Sequence, residues 1–205
     1  RGPIGSIIFV HKEYAKDIDR AVFPGLQGGP MMNSIAGIAV ALEEALQPEF
    51  KRYAQQVVRN ARVLSEELKN LDFTLISGGT DTHLILIDIR NKQPDGVIAG
   101  EMLQAADIIV NKNAIPEGAP INGTNLWRPP GIRIGTPAVT TRGMVEKEMK
   151  EIARLMNDVL TVSAFTAETQ SEDIVKQLEN NASFKAIQSK VEKLTQKFPV
   201  YKNKT

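Results

Sequence analysis

The sequence predicts an α/β protein on three observations. Strand-like and helix-like segments alternate from residue 71 to 164, amphipathic helical stretches flank that block, and the composition is that of an ordinary globular chain. With 205 residues, 42% hydrophobic and 24% charged, there is material for one domain and part of another. A formal net charge of +1 supplies no field for nucleic acid or anionic lipid, so neither is expected as a partner. The lack of cysteine excludes disulfides, zinc–thiolate sites and a thiol nucleophile. Two histidines, His11 and His83, are too few for a His-rich metal centre, and no metal site is predicted. No apolar run approaches the ~20 residues of a membrane span and no signal-peptide pattern is present, so a cytoplasmic location is expected. The opening RGPIGSIIFV has no methionine and a strand already under way, which reads as the later part of a longer polypeptide.

The elements follow in order. IGSIIFV (4–10) is β-rich and reads as a buried strand, and HKEYAKDIDRA (11–21) as a short amphipathic helix. VFPGLQGGP (22–30) then leads into MMNSIAGIAVALEEAL (31–46), a helix apolar nearly all round and hence expected to be buried on several sides, with Pro30 at its first position. Gln47-Pro48 interrupts it. A second helix, 49–70, carries Phe50, Tyr53, Val57, Ala61, Leu64 and Leu68 at three- and four-residue steps. FTLI (73–76), LILIDI (84–89), IIV (108–110) and GIRIGTP (131–137) read as strands, and 97–107 as a helix. Two amphipathic helices, about 143–164 and 171–197, close the chain.

Three segments suggest chemistry. Gln27-Gly28-Gly29-Pro30 opens onto a helix, where free N–H groups and the positive dipole end favour an anion. The loop can be a phosphate cradle or simply a tight turn, since it matches neither the P-loop nor G-x-G-x-x-G. Arg133, set between isoleucines within GIRIG, needs a partner. Its planar guanidinium can grip a ligand carboxylate through two parallel bonds or form a structural ion pair. The loop at 111–130 is longer than most connections, and Asn111, Lys112 and Asn113 at its start offer donors to a polar ligand. Trp127 reads as a pin between that loop and the core, and SGGTDTH (77–83) as a ligand-holding or merely turning loop. His83 reads as structural and His11 as a helix-start residue, and no catalytic triad or paired-carboxylate spacing is present.

RGPIG, AVFPGLQGGP, EALQPEFKRYAQQVVRNA, SGGTDTHLILIDI, NKNAIP, GIRIGTPAVTTRGM and KFPVY, in that order, resemble the serine hydroxymethyltransferase family. The resemblance implies the C-terminal part of a PLP-dependent transferase of aspartate-aminotransferase-like fold. Residues 1–46 would be the end of the large domain with the interdomain helix, and 47–205 the small α/β domain. It implies pyridoxal 5'-phosphate as cofactor, tetrahydrofolate as co-substrate, serine and glycine as substrates, and a homodimer or dimer of dimers. The Schiff-base lysine would lie three residues before Arg1, so no catalytic residue is expected in this chain and the 205 residues alone are expected to be inactive. Gly28 and Gly29 match residues that bind the cofactor phosphate of the neighbouring subunit. Arg133 matches the arginine that binds the amino-acid carboxylate, while Asn113 and, more loosely, Glu13 fall at folate-contacting positions. Two departures stand out: Ile4 replaces a usual arginine, and EGAPINGTNLWRPP differs from the common loop. The alternative is a non-catalytic fragment of the same fold, retained for pairing through the helix at 31–46.

Overall fold

In a computed structural model of the protein, residues 2–116 and 128–201 are described. Contacts divide the chain into two compact units, residues 1–52 and 53–205, and the division falls within one long helix. The segment EGAPINGTNLW, including Trp127, lies outside the described residues, as does Arg1.

In the first unit, a 3-10 turn at Lys12–Tyr14 leads into α1 (Ala15–Arg20). His11 is the residue before that turn. α2 spans Met32–Leu46, with Met31 as its N-cap, so Pro30 lies outside the helix rather than at its first position. The strand expected at 4–10 does not form. No described segment offers it a ladder partner, and its side chains are exposed, Phe9 at 91%. The burial expected for α2 is likewise not found: no residue of it is buried, and Val40 is 60% exposed. A helix apolar on every side needs cover on every side, and residues 2–7 reach only the side bearing Gly37, Ile38 and Ala41.

α3 (Pro48–Asn70) begins where Gln47 takes extended backbone, φ −75° and ψ 148°, ahead of a proline that needs no N–H partner. Its apolar stripe, Val57, Ala61, Leu64 and Leu68, is buried in the second unit. There a four-stranded antiparallel sheet runs in the order β1 (Thr74–Leu75), β2 (Leu84–Asp88), β4 (Gly131–Gly135), β3 (Asn111–Asn113). α4 (Gly96–Ala105) joins β2 to β3, and β4 returns between them to make a split β-α-β arrangement. α5 (Pro137–Thr141) follows β4, and α6 (Glu146–Thr161), α7 (Ser171–Glu179) and α8 (Ala182–Lys197) complete the unit.

Alternation along the strands separates two faces. Ile85, Ile87 and Ile132 are fully buried with Leu68, Ile98, Met102, Met149, Leu160 and Phe184, forming one core between sheet and helices. Leu84 and Arg133 fall on the other face and are exposed. Two element assignments change. IIV at 108–110 is not a strand: Asp107 turns the chain at φ 61°, and only from Asn111 does it run beside β4. The single helix expected at 171–197 is two, because the Asn181 side chain accepts from the Phe184 N–H at 3.1 Å and starts a new helix.

Candidate functional site

Arg133 is presented by a strand whose two ends are both anchored. At the start, Gly131 sits so close to its neighbours that a Cβ would lie 2.8 Å from the Ile87 carbonyl oxygen and 2.9 Å from that of Asn113. Only glycine lets the three strands meet there. Just upstream, the Pro129 carbonyl accepts from the Gly96 N–H at 2.8 Å, and Arg128 Nε donates to Asp95 Oδ2 at 2.6 Å. Asp95 Oδ1 caps α4 by accepting from the Val97 and Ile98 N–H groups at 2.8 and 3.0 Å.

At the far end, TPAVTT is stitched to α3. Thr136 Oγ1 donates to the Val57 carbonyl at 2.8 Å, and Thr140 Oγ1 to the Thr136 carbonyl at 2.7 Å. Asn60, fully buried, donates through Nδ2 to Thr140 Oγ1 at 2.8 Å and to the Met144 carbonyl at 3.0 Å. Tyr53 Oη donates to the Pro137 carbonyl at 3.2 Å. Arg142 Nη2 bonds the Thr195 carbonyl at 2.7 Å, tying the same segment to α8. These contacts hold β4 in one register, and with it the direction of the Arg133 side chain.

Between these anchors lies an open cleft of about 770 Å³, lined by Gly78, Thr80, Asp81, Leu86, Asn113 and Arg133 among others. One wall is SGGTDTH. Ser77 and Gly78 take left-handed backbone, φ 62° and 69°, and Thr80 Oγ1 braces the loop by donating to the Leu84 carbonyl at 2.6 Å. The loop thus does more than turn the chain: it borders the cavity that contains Arg133. His83 contributes its backbone, accepting from the Thr136 N–H at 3.1 Å.

Arg133 is exposed in this cleft, and among the described residues no carboxylate pairs with it. Asn113 joins it, half-buried, with Nδ2 donating to the Ala114 carbonyl at 2.6 Å and Oδ1 accepting no bond from the described residues. Lys112 does not join. It pairs in register with Ile132 on the opposite face, and its Nζ bonds Glu101 Oε1 at 2.8 Å. Alternation on a strand makes this unavoidable, and the sequence reading of three consecutive donors overlooked it.

Gly28, Gly29 and Glu13 belong to the first unit. Glu13 lies in the 3-10 turn, exposed. Neither Gly28 nor Gly29 takes positive φ, and a Cβ at either would meet nothing within 4 Å. Nothing within the described chain therefore demands glycine at these positions, although a group bound against the bare backbone would. Met31 supplies no side-chain cap, and while the Ser34 and Ile35 N–H groups donate to its carbonyl at 3.0 and 3.1 Å, those of Met32 and Asn33 have no acceptor among the described residues. This donor set fits a phosphate, and the exposed guanidinium of Arg133 fits a carboxylate.

The sequence reading missed one more feature of the open face, the Asp88–Arg90 pair. Asp88 Oδ1 accepts from Arg90 Nε at 2.9 Å and Oδ2 from Nη2 at 2.6 Å. Those bonds hold the Asp88 carboxyl below the usual carboxylate range, against the opposing effect of burial. An acid two residues from an arginine at a strand end was the available signal.

The second unit is thus a two-layer α/β structure whose open sheet face carries, in a cleft, an arginine with no ionic partner among the described residues. A profile of the serine hydroxymethyltransferase family matches residues 2–156, and the chain belongs to that family. The fold is accordingly that of the aspartate-aminotransferase-like, PLP-dependent transferases, in which this family serves one-carbon metabolism. Among the described residues no helix is long and apolar enough to cross a membrane, and no acidic or histidine cluster suits a metal ion.

Proposed function

We propose that the polypeptide containing these residues interconverts serine plus tetrahydrofolate with glycine plus 5,10-methylenetetrahydrofolate, in the cytoplasm and as a homo-oligomer. The observation that carries this reading is Arg133, exposed in the cleft without an ionic partner among the described residues. Its role is to take the amino-acid carboxylate in a bidentate grip and so orient the bonds at the α-carbon. Pyridoxal 5'-phosphate, when bound, supplies the electron sink at that carbon. Gly28 and Gly29 would receive its phosphate in the neighbouring subunit's site through bare backbone N–H groups. Asn113, through its Oδ1, and Glu13 would face the folate. Residues 1–46 would belong to the large domain and 47–205 to the small one.

The test is Arg133→Ala in the full-length protein. Where bound substrate in the full-length protein excludes water from Arg133, loss of the bidentate grip costs ~2–5 kcal/mol, about 30- to several-thousand-fold in serine turnover. Cofactor absorbance should be retained. Serine kinetics like those of the wild type would overturn the assignment. A second reading, a non-catalytic pairing fragment, is favoured by the apolar surface of α2, where Leu42 and Leu46 are 51% and 80% exposed. Sedimentation of the 205 residues decides: a tight dimer favours pairing, and a well-behaved monomer counts against it.

A further inference from the structure

The register of β2 and β4 puts an acid where it could capture Arg133. Leu86 stands opposite Arg133 and Asp88 opposite Gly131, so Asp88 shares the open face one diagonal step away. Diagonal cross-strand neighbours lie roughly 7–8 Å apart, within reach of an arginine side chain. Opposite charges so placed ordinarily pair. Asp88 instead gives both oxygens to Arg90, at 2.9 and 2.6 Å, and Oδ1 also accepts the Arg90 backbone N–H at 3.1 Å. Asp81, which lines the cleft itself, faces Arg62 at 3.9 Å. Among the described residues, Asp88 on the shared face and Asp81 in the cleft thus each have an arginine other than Arg133.

We propose that Arg90 is a positioning residue acting through Asp88: by occupying both carboxylate oxygens it keeps Asp88 off Arg133 and leaves that guanidinium to an incoming carboxylate. This rests on the reading of Arg133 as the carboxylate grip. The local pair is favoured because Arg90 is only two residues from Asp88, and its fork takes both oxygens without ordering a distant side chain. Without Arg90, the buried carboxylate would turn to the nearest cation across the ladder. A substrate would then find Arg133 competent for only a fraction of the time, and apparent affinity falls by that fraction.

The experiment uses the full-length, cofactor-loaded protein, measuring serine KM and kcat and glycine binding by calorimetry. Arg90→Met should raise serine KM and the glycine Kd about tenfold while kcat stays within about threefold. Arg90→Met combined with Asp88→Asn should restore both, because the competing acid is gone. A structural role for the pair would predict the opposite, with the double variant no better than the single. Arg90→Met at wild-type KM, or a defect that Asp88→Asn fails to rescue, overturns the proposal. Should Arg90→Met fail to fold, Arg90→Lys keeps the charge without the fork and should raise KM about threefold; a wild-type KM there is equally fatal. Arg133→Ala separates the two ideas. If it binds glycine normally, the grip itself is wrong. If it loses binding while the Arg90 variants behave as wild type, only the guarding role falls.

Discussion

Asn60 offers the sharpest test of how the site is held. It is fully buried on α3 and uses its whole amide: Nδ2 donates to Thr140 Oγ1 and the Met144 carbonyl, and Oδ1 accepts from Gln56 Nε2 at 2.9 Å. In Asn60→Ala the Met144 carbonyl loses that donor in a place only 2% exposed as a residue. An orphaned buried acceptor costs about 1–3 kcal/mol. Thr140 keeps its bond to the Thr136 carbonyl, so its loss is smaller, and the missing amide leaves a small void. Together these amount to about 2–4 kcal/mol. In a domain of this size that corresponds to a fall in Tm of about 4–15 °C. Urea unfolding followed by far-UV circular dichroism measures it, with the m-value unchanged. Asn60→Asp should be no milder, because it retains acceptors where a donor is needed and buries a charge. A loss below about 0.5 kcal/mol in Asn60→Ala would show that the Asn60 bonds do not brace α5 against α3.

Other substitutions probe different links. Gly131→Ala drives a methyl to 2.8 Å from the Ile87 carbonyl oxygen and from Ile115, and should lower stability by about 1–3 kcal/mol or prevent folding; unfolding at the wild-type midpoint would contradict it. Gly28→Ala meets nothing within 4 Å, so stability should stay within about 0.5 kcal/mol while the full-length protein binds its cofactor more weakly. Spectroscopic titration checks that, and unchanged cofactor affinity would argue against a phosphate role. Asp88 has a depressed carboxyl pKa, caused first by its side-chain bond to Arg90. Its contribution is therefore present above the unfolded value near ~3.9 and is lost as pH falls through the lower folded value. Asp88→Asn should be less stable at neutral pH and show a shallower decline below pH ~4. An acid limb identical to that of the wild type would refute the coupling.

The long helices were legible because their apolar residues recur at three- and four-residue steps, as along α3 from Val57 to Leu68. The strand carrying Arg133 was legible too, since Ile132 and Ile134 flank a charge between two glycines. Errors arose where a local pattern needed a partner to be realised. IGSIIFV has β propensity but no described ladder partner, and IIV was overridden by the turn at Asp107. The helix expected across 171–197 broke because one asparagine side chain captured a backbone N–H. In the site, Arg133 and Asn113 were both named from sequence, and the structure brings them into one cleft with SGGTDTH. Gly28, Gly29 and Glu13 belong to the other unit.

What the sequence determined by itself was membership and kind. Strings such as AVFPGLQGGP and GIRIGTPAVTTRGM mark the family, and periodicity places the main elements, because both are properties of neighbouring residues. Only the tertiary structure decided which face of β4 bears Arg133, that Lys112 turns away to Glu101, and that Asp88 is already held by Arg90. Those outcomes depend on strand register, in which a shift of one residue exchanges the two faces, and register is set by contacts between residues far apart in the chain.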